Sequence, residues 1–208
     1  MEIAQELRRL SARDGGLPDN LGPDGARRPI LEAALGLFAE VGFAGASIRD
    51  IATAAGVRSA TLYAHYTSKE QILAELVLIG HEDHHARLRA AAPELASLVR
   101  AHVRWHAEHP QLAVVANAEL HALSPELAAP ALEIRDASTQ LLLDAVHAGV
   151  ASGAFAPIDE WLAVAAIGGM GIRVANWFDS LGNYSVEEVM DTYAAFAMRI
   201  VGGTTDGA

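Results

Sequence analysis

Between Ser47 and Lys69 the chain gathers Arg58, Ser59, Thr61, Tyr63, His65 and Lys69, a run of cations and hydrogen-bond donors set among small and apolar residues. On a helix, Leu62 and Tyr66 lie four apart and can face one side, leaving the donors to the other. Short polar side chains near a helix N-terminus reach base edges, while Arg, Tyr, His and Lys hold phosphates. The chemistry this predicts is reading of double-stranded DNA. Its contact candidates are Arg28, Ser47, Arg49, Arg58, Ser59, Ala60, Thr61, Tyr63, His65, Tyr66 and Lys69.

The histidines offer a second chemistry. His81, His84 and His85 stand at i, i+3 and i+4, and His102 and His106 at i and i+4. These spacings can bring imidazoles onto one metal, with Glu82 or Asp83 nearby, but they also arise on solvated faces. His81, His84 and His85 are expected at the surface near the junction of head and body, and no metal or cofactor is assigned. A metal-dependent enzyme or metal sensor stays an alternative. An enzyme is not expected, since the sequence has no GxSxG elbow, P-loop, nucleotide-binding glycine fingerprint or cysteine nucleophile. A helix-turn-helix adaptor that binds only protein is the other alternative. It leaves no reason for Arg58, Tyr63, His65 and Lys69 to share a face.

Local signals set the elements that position these groups. Ser47 caps a helix with Asp50 three residues on, Ile51, Ala52 and Ala55 form its buried stripe, and Gly56 ends it, with Val57 plugging the corner. The second helix runs from Ser59 to His65. Ser68 with Gln71 opens a third at Lys69, whose N-terminus suits a phosphate. Upstream, a support helix starts near Arg27, capped by Asp24 with Pro29 in its first turn. Ile30, Ala34, Leu37, Phe38 and Val41 recur along it, Gly42 ends it, and Phe43 packs in the small core.

The stretch Ile51-Ala52-x-x-Ala55-Gly56-Val57, followed by Thr61-Leu62-Tyr63-x-His65-Tyr66-x-Ser68-Lys69-Glu70, resembles the signature of the tetracycline-repressor (TetR) family of bacterial regulators. The resemblance implies a ligand-responsive repressor in which a homodimer binds a DNA operator. Asn117-Ala-Glu119-Leu-His-Ala-Leu123-Ser-Pro125, Asn176-Trp177-Phe178 and Ser185-Val-Glu-Glu188 are loosely similar to a subgroup that includes regulators of fatty-acid and steroid breakdown. Relatives there often sense acyl-CoA thioesters. No strongly basic cluster for a CoA phosphate is evident; the available cations are Arg100, Arg104, Arg135 and Arg173.

A net charge of −11 argues at first against a nucleic-acid partner. Its distribution reverses that argument, because residues 1–70 hold 8 Lys/Arg against 9 Asp/Glu whereas residues 71–208 hold 7 against 17. Local cations can face phosphates while the acidic remainder discourages non-specific adhesion. Without cysteine there is neither a disulfide nor a thiol switch. The start lacks a signal-peptide core and no run is long and apolar enough to span a membrane, so the expected location is the cytoplasm. Residues 1–25 read as a disordered extension, with turn-formers at 14–25 and an alternative in which Arg8, Arg9 and Arg13 lie along a groove of DNA. Residues 26–70 read as the DNA-binding domain, and 71–208 as a helical ligand-binding and dimerisation domain.

A long helix from Ser68 to about Ala91 is expected to join the two. Prolines then divide the body into helical segments at 94–108, 111–122, 126–152 and 158–180, with a last helix at 185–201 capped by Ser185 and Glu188. Alanine and leucine dominate and no hairpin signal appears, so the fold is all-α with about nine helices. The last two segments carry Leu162, Ala166, Gly169, Met170, Val189, Tyr193, Phe196 and Ile200, which could form a four-helix interface between two chains. Such a dimer would set two heads over a pseudo-palindromic operator. The alternative is that both helices are core of one chain. His102, Trp105, His106, Asn117, His121, Met170, Arg173 and Trp177 are the effector-contact candidates, large or polar residues among alanines and glycines that leave room for a cavity.

Overall fold

The structure, a computed structural model, describes residues 16–18, 25, 27–156 and 158–202. Apart from residues 16–18 and 25, the extension expected to be disordered lies outside the described residues, as do the Arg8–Arg9–Arg13 arm and the Asp24 cap. Three helices make the head: α1 (Arg27–Gly45), α2 (Ile48–Ala54) and α3 (Ser59–His65). A long α4 (Lys69–Ala90) leaves it. The body continues with α5 (Leu95–Glu108), α6 (Pro110–Ala118), a 3-10 turn (Leu120–Ala122) and α7 (Pro125–Ala151). It ends with α8 (Glu160–Ile172), the single turn α9 (Val174–Trp177) and α10 (Val186–Ile200). No strand occurs among the described residues.

The segment expected at 158–180 is broken at Arg173, which separates α8 from α9. Among the described residues that break makes two helices of one expected segment, within the expectation of about nine. Gly42 adopts φ 76° and ψ 165° where the support helix was expected to end, and helical turns then resume as far as Gly45.

Two apolar clusters hold these elements. The first runs from the head into the body: Ile30, Leu31, Phe38, Ile51 and Leu62 join Ile72, Leu73 and Leu76 of α4 and Leu112 and Val115 of α6. Leu17, read from sequence as linker with little to bury, is 4% exposed and belongs to this cluster. The second gathers Leu88, Val99, Val103, Val146, Val164, Ile167, Val189 and Ala197 from α4, α5, α7, α8 and α10. Full burial of one such side chain is worth about 1.5–3 kcal/mol, so the first cluster couples the head's position to α4 and α6. No helix among the described residues is long and apolar enough to cross a membrane.

Candidate DNA-reading head and effector cavity

The Ser47–Asp50 capping box forms as the spacing predicts. Ser47 Oγ accepts from the Asp50 N–H at 3.2 Å, and the Asp50 carboxylate accepts from the Ser47 N–H at 3.1 Å and from its hydroxyl at 2.6 Å. Those bonds to Ser47 hold the Asp50 carboxyl below its ordinary pKa. Gly56 turns the chain at φ 67°, in the left-handed region that other residues rarely adopt. Leu62 then anchors α3 with no exposure, leaving Arg58, Ser59, Ala60, Thr61, Tyr63 and His65 exposed together. Arg49 on α2 is exposed as well.

Four of the DNA-contact candidates are engaged within the chain. Tyr66 is 3% exposed; its hydroxyl accepts from Arg27 Nε at 3.3 Å, and Arg27 is also ion-paired with Glu75 of α4. Burial pushes the Tyr66 phenol up to about 12. Arg28 pairs with Glu32 at 2.9 Å and donates to the Leu17 carbonyl at 3.1 Å. Ser47 is occupied by its cap. The Lys69 ammonium donates to the Phe43 and Ala46 carbonyls at 2.6 and 2.7 Å and lies 4.2 Å from the Phe43 ring centroid. A cation beside the unpaired carbonyls at the end of α1 is favourable, so Lys69 ties α4 to that end.

Lys69→Ala is therefore expected to destabilise the protein by on the order of 2 kcal/mol, lowering Tm by several degrees. The salt dependence of DNA binding by the folded variant should not change. Calorimetry with a salt titration checks this: a slope reduced by about 1 with Tm unchanged would restore the phosphate role.

The dimerisation candidates divide. Leu162 is 64% exposed, Phe196 41% and Ile200 38%, and Ala166 and Gly169 are exposed too. Tyr193 is half-buried and stacks on Trp177 at 6.4 Å. Val189, 4% exposed, and partly buried Met170 instead pack within the chain's own second core.

Among α4, α5, α6, α7 and α8 lies a cavity of about 290 Å³. His81 and His84 line it from α4, His102, Trp105 and His106 from α5, and Asn117 from α6. Arg135, Ser138, Thr139 and Leu142 come from α7, and Trp161, Val164, Ala165, Gly168, Gly169 and Ile172 from α8. The structure thus brings four effector candidates together: His102, Trp105, His106 and Asn117. His121 is exposed on the 3-10 turn, bonded to the Ala118 carbonyl, and Trp177 lies beyond the α8–α9 break. Met170 and Arg173 miss the cavity for a geometric reason. Residues 161, 165, 168, 169 and 172 recur at helical spacing on its side of α8, and 170 and 173 share another face.

The expectation that His81, His84 and His85 are surface residues fails for His81 and His84, while His85 keeps partial exposure. His81 is 6% exposed, the His84 ring touches those of His102, Trp105 and His106, and the His85 ring bonds the Ser138 hydroxyl at 3.0 Å. Sequence reasoning missed Ser138, Thr139 and Trp161 and counted Arg135 only as a spare cation. The available signal was Arg135, Ser138 and Thr139 at helical spacing, a polar patch on a helix face that continues to apolar Leu142 and Val146.

Burial lowers the cavity histidines' pKa values. His81 falls to about 4, with the Arg135 charge adding to the effect and a bond to the Ala116 backbone opposing it. His102 falls to about 4, and His84 and His106 also lie well below 6.5. The cavity wall is thus uncharged imidazole and apolar surface near one arginine. Gly171 makes this possible, because a Cβ there would meet His102 Cδ2 at 2.2 Å. Gly168 is different, since a Cβ at that position meets nothing within 4 Å.

A family profile described as "Bacterial regulatory proteins, tetR family" matches residues 30–76. A second, "Tetracyclin repressor-like, C-terminal domain", matches residues 84–201. The "HTH-type transcriptional repressor KstR2" of Rhodococcus jostii is 27% identical over 189 residues, 86% of this chain and 93% of that protein. A crystal structure of "a Bacterial Regulatory Protein in the tetR Family from Rhodococcus RHA1" is 34% identical, with TM-score 0.82, over 88% of this chain and 100% of that one. AibR, solved "in complex with isovaleryl coenzyme A and operator DNA", shares the fold at 23% identity and TM-score 0.69, over 83% of this chain and 97% of its own.

Proposed function

The chain belongs to the TetR family of bacterial transcriptional regulators, and on that premise we propose that it is a cytoplasmic homodimeric repressor, released from a pseudo-palindromic operator by a small effector, apolar or acyl-CoA-like. The observation that carries this reading is the run of α4. It starts at Lys69, tied to the end of α1 beside the recognition helix, and reaches the cavity at His81 and His84. A ligand there acts on the helix that sets the head. To release DNA it must bind the conformer with wrongly spaced heads better by a few kcal/mol.

A cavity of about 290 Å³ is at the small end for a ligand pocket, suited to a short acyl group, with the nucleotide of a CoA ester outside near Arg135. That the AibR fold is solved with isovaleryl coenzyme A and operator DNA supports this effector class. Residues 26–70 serve as the DNA-binding unit and residues 71–208 as the effector and dimer unit. Arg58, Ser59, Thr61, Tyr63, His65 and Arg49 are assigned to DNA, Ala60 allowing close approach. Exposed Leu162, Ala166, Phe196 and Ile200 are assigned to the partner chain.

Selection of bound duplexes from a random library tests the DNA half. A two-fold-related motif is expected, and Arg58→Ala or Ser59→Ala should relax base preference within it while Tyr63→Ala weakens all sequences alike. Failure of a folded protein to enrich any sequence counts against it. Equal losses on operator and random DNA for all three variants would remove the assignment of base-reading roles.

A further inference from the structure

We propose that His84, His102 and His106 form a binding site for a divalent ion of the zinc class on the wall of the cavity. This goes beyond the effector reading and does not depend on it. Among the described residues these three histidines present ligand nitrogens that all lie within 4.8 Å of one another.

The hydrogen bonds around them fix which nitrogen carries each proton. A carbonyl can only accept, so His102 donates from Nε2 to the Gly168 carbonyl at 3.1 Å, and His106 donates from Nδ1 to the His102 carbonyl at 2.8 Å. Neutral His102 therefore keeps a lone pair on Nδ1, and neutral His106 keeps one on Nε2. His84 Nε2 lies 2.8 Å from His102 Nδ1 and donates its proton there. His106 Nε2 is fully enclosed with no partner among the described residues, on a side chain 2% exposed. A buried lone pair without a donor is costly, and a metal ion satisfies it.

Two of the three ligands are thus held in a metal-ready tautomer by backbone carbonyls, the arrangement that orients histidines in metal sites. Binding requires only that His84 move its proton from Nε2 to Nδ1, so three neutral imidazoles take up the ion with no net proton release. Nitrogens on a tetrahedral ion at about 2.0–2.1 Å stand about 3.3 Å apart, so His84 and His102, now 2.8 Å apart, open slightly. All three residues line the cavity, from which water or an effector oxygen would complete a four-coordinate shell.

The full chain, stripped with chelator and desalted, is titrated with Co²⁺ by visible absorption and with Zn²⁺ in competition with a chromophoric chelator. The expected result is one ion per chain with the intense absorption of four-coordinate cobalt. His106→Leu and His84→Phe should abolish that band and weaken Zn²⁺ by about 100-fold, with circular dichroism confirming the fold. His121→Ala and His147→Ala should change neither readout. Replacing His102, packed on Gly171, endangers the fold, so the wild-type stoichiometry and spectrum also bear directly on the proposal. Pale six-coordinate spectra, uptake that survives in folded His106→Leu, or uptake lost in His147→Ala would each overturn the site.

Discussion

Asp83→Ala is expected to cost about 3–5 kcal/mol and to lower Tm by on the order of 10 °C. The Asp83 carboxylate is 4% exposed and joins α4 to α5 and the turn after it. It accepts from Trp105 Nε1 at 2.8 Å and from Arg87 Nε at 3.2 Å, with His109 Nε2 at 3.8 Å. Arg87 continues to Glu108 at 2.8 Å and to His109 at 2.9 Å. Removing the carboxylate leaves the Trp105 indole N–H buried without an acceptor and deprives Arg87 of its buried counter-charge. Breaking one side of such a cluster costs more than the cluster adds, because the desolvated partners stay behind. Asp83→Asn should recover part of the loss by keeping an acceptor for Trp105. Calorimetric unfolding decides the matter, and a loss below about 1 kcal/mol for the alanine variant would show that this cluster does not hold the cavity wall.

The second large effect is acid lability, read with chelator present. His81 is held at about 4 in the folded chain, against about 6.5 when unfolded, mainly by burial. Between those values the unfolded chain binds the extra proton, so stability is fully present above pH 6.5 and falls as the pH drops toward 4. At pH 4 the loss is about 3 kcal/mol for this histidine alone, a substantial part of an ordinary domain's stability. His84, His102 and His106 are shifted the same way by burial and add to it. Tm should therefore be flat above neutrality and fall steeply through that window, with a shallower fall in His81→Leu. Equal Tm at pH 7 and pH 4.5 would contradict the buried, neutral histidine wall.

The head was legible because each boundary carries a local signal. Ser47 with Asp50 starts α2, Gly56 turns the chain, and Ser68 accepts from the Gln71 N–H at 3.2 Å to start α4. Even there the Gln71 side chain returns to the Thr67 N–H at 2.9 Å rather than to Ser68. Prolines at 110 and 125 likewise marked the starts of α6 and α7. Side-chain partners far along the chain were not legible. Lys69 was read as a phosphate ligand because the Phe43 and Ala46 carbonyls that hold it lie 26 and 23 residues away. Tyr66 meets Arg27 39 residues back. The histidines failed similarly: spacing showed which could share a helix face, but only the packing of α4 against α5 puts His84 beside His102. Trp177 would follow Arg173 on a continuous helix, but the break at Arg173 carries it beyond the cavity, and Arg173 itself lies off the cavity side.

If ligand in the cavity releases the selected operator, filling that space by Gly168→Phe should prevent the release. The added ring enters space in which a Cβ meets nothing within 4 Å, and an L residue fits the helical backbone there. Fluorescence anisotropy of labelled operator, titrated with isovaleryl-CoA and longer acyl-CoAs at fixed salt, gives the measurement. The expected result is tight binding by both proteins, release of the wild type by at least one acyl-CoA, and a variant that stays bound at about 100-fold higher ligand. Release of both proteins at the same concentration would place the effector elsewhere and contradict the cavity as the switch.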